Sequence, residues 1–339
     1  MRALGQFLLV GIVGIFGAVP ALAQSRDSRV HRLEELAWPQ IDALDRERTM
    51  FILPIGMLEE HGPHLPVGSD TFGVEYEAAA VSKKLSAALP RWRVVMMPTI
   101  HYGETGANVI GGDSVHPGTY GIRHSTLRSL VADVGAQVAQ NGFKWIFVMT
   151  GHASPSNGIA VNDACDFVSE SFNVSMLHVS GLFRADAAIQ SRATTIALKH
   201  FSATDIALFG LDVHAGVGET SVNLALRPTL VHRGFKKLPS QAGRTFDELQ
   251  AIASRPGWQG YLSTPSKATA AYGRDIEAWW VDGLTELILR AARGENLLKA
   301  PRAPAQLDPG RAGVFERELK NEREFEAKLD AWLAQRRRQ

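Results

Sequence analysis

At 339 residues, with 36 basic against 35 acidic side chains and a formal charge of +1, the chain has no charge excess to suit it to nucleic acid or to an acidic, disordered tail. A hydrophobic content of 45% suffices for a sizeable core, in one large domain or two. The single cysteine, Cys165, excludes internal disulfide staples and falls in an amphipathic run, so it is expected as a core thiol.

In chain order, Arg2 precedes an apolar run over residues 7–19, followed by Pro20 and Ala21-Leu22-Ala23-Gln24. The run is short for a membrane span, which needs about 20 apolar residues, and it ends in small residues, as a signal peptide cut after Ala23 does. The expectation is an exported protein, periplasmic or secreted, with no membrane span in the mature chain. Residues 24–44 read as a polar leader in which His31 and Arg32 are solvated, residues 45–295 as the main domain, and residues 296–339 as a Pro-rich linker with a charged C-terminal helix over 314–338.

Within the main domain, residues 49–55 are a short strand, apolar from Met50 to Ile55, the mark of a parallel strand buried on both faces. A helix follows over 73–89, stopped by Pro90, then a strand over 93–98 and a long glycine-bearing loop over 101–119. Apolar spacing predicts a helix over 121–140, closed by Gly142, and a buried strand over 144–150. Beyond it come a helix (159–172), a strand (174–179), a helix (182–200), a turn that becomes a helix (211–226), mixed loop (233–270) and a last helix (272–293). Alternating strands and helices give an α/β layer fold with a largely parallel sheet, in which ligands bind beyond the carboxyl ends of the strands.

Two polar clusters fall at that edge, and a third opens the helix that ends at 226. After the first strand, Glu59, Glu60, His61, His64 and Asp70 crowd among Gly56, Gly62, Pro63, Pro66 and Gly68. Carboxylates with imidazoles suit a divalent transition ion such as zinc, manganese or iron; the alternative is a polar loop facing water. Thr150-Gly151-His152 ends the central strand, where the histidine could instead be a cap. The third cluster is His214-Ala-Gly-Val-Gly-Glu219-Thr-Ser, whose glutamate also suits a helix N-terminus and whose histidine could be structural.

Taken together, Glu59-Glu60-His61-Gly-Pro-His-Leu-Pro with Asp70, Thr150-Gly-His152 and His214-Ala-Gly-x-Gly-Glu219-Thr-Ser resemble the creatininase (creatinine amidohydrolase) family over residues 45–293. His116-Pro-Gly-Thr119 matches that family's pocket-loop pattern. The resemblance implies a homo-oligomeric two-metal hydrolase on a three-layer α/β/α sandwich. Carried over by position, Glu59, Asp70 and His152 hold one ion and His61, Asp70 and Glu219 the other, with Asp70 bridging. Two divalent ions per subunit are implied, zinc first, with manganese and iron as alternatives. The implied reaction is cleavage of a non-peptide amide C–N bond, cyclic amides included, in a small-molecule substrate. A metal-bridging hydroxide would attack and His214 would protonate the leaving nitrogen. Glu60, His64 and His116 would support or line the pocket, while His101, His124, His178, His200 and His232 are expected to be structural or at the surface. Departures also matter: creatininase has Tyr-Glu after the second-motif histidine and a Trp and a Glu ahead of the third, where this chain has Ala153-Ser154, Gly210 and Val213. A pocket without them lacks the contacts that orient creatinine, so another amide is expected. The alternatives are a lactone or cyclic ketone hydrolysed at the same site, or a non-catalytic periplasmic metal- or solute-binding protein.

Overall fold

A computed structural model describes residues 29–104, 110, 116–304 and 312–337; the expected signal segment and parts of the 101–119 loop lie outside these. Among the described residues five strands form one sheet: β1 (Val30–Arg32), β2 (Thr49–Ile55), β3 (Arg93–Met96), β4 (Trp145–Thr150) and β5 (Ser175–His178). Their order is β1-β3-β2-β4-β5 and every pairing is parallel. The helices are α1 (Trp38–Asp42), α2 (Ser69–Ala88), α3 (His124–Gln140), α4 (Pro155–Phe172), α5 (Val179–Ala185), α6 (Ala187–Gln190), α7 (Arg192–Leu198), α8 (Ala203–Phe209), α9 (Val217–Leu226), α10 (Phe246–Ala253), α11 (Ala270–Ala292) and α12 (Ala312–Arg336).

The period of two along a strand divides β2 between two cores. Met50 and Ile52 pack with Val74, Val81 and Leu85 of α2 and Leu284 and Ile288 of α11. Phe51, Leu53 and Ile55 pack on the opposite face with Leu127 and Val131 of α3 and Val161 and Ala164 of α4. Each such side chain contributes about 1.5–3 kcal/mol when fully buried. The result is the expected three-layer α/β/α sandwich. Cys165 is a fully buried member of the second core.

Topology then fixes where a site can form. From β2 the chain passes through α2 to β3, then returns over α3 to β4 on the other side of β2. The connections leaving β2 and β4 therefore diverge onto opposite faces and open a crevice at the carboxyl ends of these two strands. A hydrogen bond from Gly151 N–H to the Ile55 carbonyl (2.9 Å) ties the two strand exits together.

Several boundaries differ from expectation. The helix expected at 73–89 begins at Ser69, whose hydroxyl donates to the Pro66 carbonyl (2.7 Å), so Asp70 lies in its first turn rather than in the loop. The helix expected over 182–200 breaks into α5, α6 and α7. Asp186 there accepts from Ala188 and Ile189 N–H (3.0 and 3.1 Å) and restarts the chain as a new cap. Residues 203–209 and 246–253 are helical; the latter run is capped by Thr245 but is too short to stand out from a polar loop. The leader holds β1, an edge strand against β3, with His31 half-buried and Arg32 exposed. No helix among the described residues is long and apolar enough to cross a membrane.

Candidate metal centre

Four local structures deliver the donors. The β2 exit carries Glu59 and His61; the first turn of α2 carries Asp70; the β4 exit carries His152; the first turn of α9 carries Glu219. Glu59, Asp70 and His152 bring one ligand atom each to within 4.8 Å of one another, and so do His61, Asp70 and Glu219. A third such group, Glu59, His61 and His214, joins the two.

Asp70 belongs to both triads through different atoms. Its Oδ1 is 3.4 Å from His61 Nε2, and its Oδ2 is 3.3 Å from His152 Nδ1. Glu59 Oε2 lies 3.1 Å from His152 Nδ1, and Glu219 Oε2 lies 3.5 Å from His61 Nε2. Because His61 Nδ1 sits 3.0 Å from the Glu59 carbonyl, a pure acceptor, Nδ1 carries a proton and Nε2 faces the carboxylates. His61 Nε2 and Asp70 Oδ2 are buried and make no hydrogen bond of good geometry among the described residues. Buried donors of this kind, with His61 oriented by the Glu59 carbonyl, fit a pair of divalent ions.

Close backbone packing makes the convergence possible. A Cβ on Gly151 would collide with the Asp70 carbonyl, so only glycine lets the β4 exit lie against the first turn of α2. At the third cluster Asp212 accepts from Val217 and Gly218 N–H (2.9 and 2.7 Å) and so caps α9, while a Cβ on Gly216 would strike the same carboxylate. Glu219 reaches back to Ala215 N–H (2.5 Å), holding that residue at a φ of 49°.

The electrostatics are those of a cation site. Burial alone would raise the Glu59 carboxyl, but His152 and His214 bring it down to about 2. Asp70 is likewise lowered, against its burial, by His61 and His152. Burial lowers the histidines, yet the carboxylates win: His152 rises to about 10, and His61 and His214 rise as well. Each of these shifts shows a donor set that attracts positive charge.

His214 is buried with its ring 4.5 Å from that of His61 and its Nε2 3.5 Å from Glu60 Oε1. Glu60 Oε2 accepts from Gly62 N–H (3.0 Å). His64 bonds Thr220 Oγ1 (2.9 Å), pinning α9 to the first cluster, and burial lowers its pKa to about 4. His116 packs against Trp258 (5.6 Å) and joins none of the three groups. His178 is buried between Thr150 and Asn162, His124 is buried, His200 pairs with Asp275, and His101 and His232 are exposed, all in line with structural or surface roles.

A cavity of about 500 Å³ opens onto the centre. Sequence reasoning missed several residues in and behind its walls. At Ser154, where creatininase has its glutamate, the hydroxyl donates to Glu104 Oε2 (3.4 Å), as does Ser156. A buried carboxyl thus arrives from another loop, and burial pushes it up to about 7 against the Ser156 hydrogen bond. Glu77, Arg184 and Glu277 line the cavity; each is a single charge in a helix, and none stands apart in the sequence.

A family model described as creatinine amidohydrolase matches residues 34–288. The creatinine amidohydrolase of Pseudomonas putida is 26% identical over 266 residues, 75% of this chain and 94% of that protein. The mycofactocin precursor peptide peptidase of Mycobacterium ulcerans is 30% identical over 287 residues, 82% of this chain and 95% of the relative. A manganese creatininase structure superposes with a TM-score of 0.56 at 24% identity, covering 78% of this chain and 99% of its own, which is a likeness of fold.

Proposed function

The chain belongs to the creatininase family, and from that premise we propose that the two donor triads hold a pair of divalent ions and that the centre hydrolyses the C–N bond of a small amide. As a member of that family it is a metal-dependent amidohydrolase. Glu59, Asp70 and His152 would hold one ion and His61, Asp70 and Glu219 the other, zinc or manganese being the ions that suit these donors. Bound there, the ions supply Lewis acidity and a lowered pKa for water near neutral pH.

The protein's own groups do the rest. His214 is the proton donor to the leaving nitrogen: it is buried beside the centre, and Glu59 and Glu60 favour its charged form against the cost of burial. An amide nitrogen leaves poorly until protonated, so this transfer matters more for an amide than for an ester. Where creatininase carries Tyr and Trp this chain has Ala153 and Gly210, so the contacts those two rings make with a flat creatinine ring, about 1 kcal/mol each, are lost. The substrate is therefore an amide other than creatinine.

The observation that carries this reading is Asp70, with one oxygen toward His61 and the other toward His152. Metal analysis of the purified chain, followed by assays on cyclic amides, formamides, ureides, short peptides and lactones, tests it. Two ions per chain with turnover of amides is the expected result; turnover of lactones alone would replace the amide with an ester substrate. Peptide cleavage is the second reading, favoured by the 30% identity to a peptide peptidase. We also propose export and self-association. The mature chain should begin at Gln24 by N-terminal sequencing of the secreted protein and run as a homo-oligomer in light scattering.

A further inference from the structure

The cavity extends along α2 away from the metal centre. Asp70, Gly73, Val74 and Glu77 share one helical face and all line it, and seven residues of rise carry the wall about 10 Å from the bridging carboxylate. Glu77 lines it together with Glu277 of α11 and Arg184 of α5. The two carboxyl groups are 6% and 3% exposed, and the Oε2 of each is buried with no hydrogen-bond partner among the described residues. Arg184 does not satisfy them: it forms no ion pair within 4.0 Å among those residues, bonds Thr150 through Oγ1 and the carbonyl (3.3 and 3.4 Å), and lies 5.1 Å over the Trp280 ring. A buried polar atom left unpaired is costly, and two such atoms on side chains that line one cavity call for an occupant.

From this geometry we propose that the inner end of the cavity binds a cationic N–H group, so that the substrate is an amide carrying an ammonium or guanidinium about 10 Å from the bridging carboxylate. The proposal rests on the amidohydrolase reading and names its substrate class. Charge counting supports it. Two carboxylates against one guanidinium leave one negative charge unanswered. Burial pushes both carboxyls up, and the charge on Glu77 pushes Glu277 further, so a proton fills that place when nothing else does. A ligand cation would take the proton's place, ionise Glu277 and give Glu77 and Glu277 donors for their orphaned oxygens.

Calorimetric titration of the metal-loaded full chain at neutral pH, with pentylamine and butylguanidine against pentanol as the neutral isostere, tests the pocket without needing turnover. The cations should bind about tenfold tighter than pentanol, the effect of a charge-assisted hydrogen bond, and Glu277→Gln or Glu77→Gln should remove that preference with metal content unchanged. An ω-aminoalkyl amide should likewise show a lower KM than the alkyl amide of equal length. Equal binding of pentanol and pentylamine by the wild type overturns the proposal, even if neither variant folds. So does cation binding that both variants retain, since an amine held by the metals would not respond to these changes. Glu277-dependent cation binding without turnover of any amide would sink the hydrolase reading and leave the pocket standing. Amide turnover indifferent to the amino group would do the reverse.

Discussion

His61 holds its Nδ1 proton against the Glu59 carbonyl and turns Nε2 toward Asp70 and Glu219, while His152 turns Nδ1 toward Asp70 and Glu59. Each imidazole thus faces two carboxylates, and Asp70 is common to both sets. Replacing Asp70 with Ala should empty both ion positions, whereas a change confined to one triad should spare the other. Inductively coupled plasma analysis of dialysed protein reads this directly, and an Asp70→Ala variant that kept its metal would break the bridging assignment. His214→Ala removes the proposed proton donor and none of the proposed ligands. Its kcat should fall by about 10²–10⁴-fold with full metal content, and a fall in metal content instead would make His214 a ligand.

At the level of elements, the centre depends on how closely the β4 exit lies against α2. Gly151→Ala should push the strand end off the Asp70 backbone, destabilise the fold by about 1–3 kcal/mol and weaken metal retention, measurable as a lowered Tm together with sub-stoichiometric metal. That same packing explains what could be read beforehand. Donors at strand exits and helix starts sit among Gly and Pro, so Glu59, His61, Asp70, His152 and Glu219 stood out as clusters; the span Thr49–Ile55 stood out because both of its faces are apolar. Glu77, Arg184 and Glu277 did not. Each is a single charge in an amphipathic helix, with the same local pattern as a solvated residue, and only the packing of α2, α5 and α11 reveals that they line one cavity. The break at Asp186 was hidden for a related reason: a side-chain cap interrupts the helix without changing its apolar spacing.

Over the whole molecule the buried charges predict how stability follows pH. In metal-free protein His61, His152 and His214 titrate above the ordinary imidazole value. Their stabilisation is complete below about pH 6.5 and is lost as pH rises through the folded value, about 10 for His152. The raised carboxyls of Glu77 and Glu277 act in the same direction, because folding must keep them protonated as pH climbs above the ordinary carboxyl range. Glu59 acts at the other end, contributing above its ordinary value and losing that contribution as pH falls toward about 2. Chelator-treated protein should therefore melt at progressively lower temperature from about pH 6 to pH 10. Metal-loaded protein, whose histidines are already deprotonated, should decline less; a thousandfold excess of ion over Kd contributes about 4 kcal/mol. A gap in Tm that failed to widen with pH would contradict this account. Finally, since one aspartate turns an oxygen to each triad, occupancy of the two positions cannot be independent. With both proposed positions filled, the first ion would preorder the aspartate for the second and also repel it, so a titration should depart from two identical, non-interacting isotherms. Positive cooperativity would mean that preordering outweighs repulsion, and a separable, weaker second step would mean a half-loaded protein accumulates whenever metal is scarce.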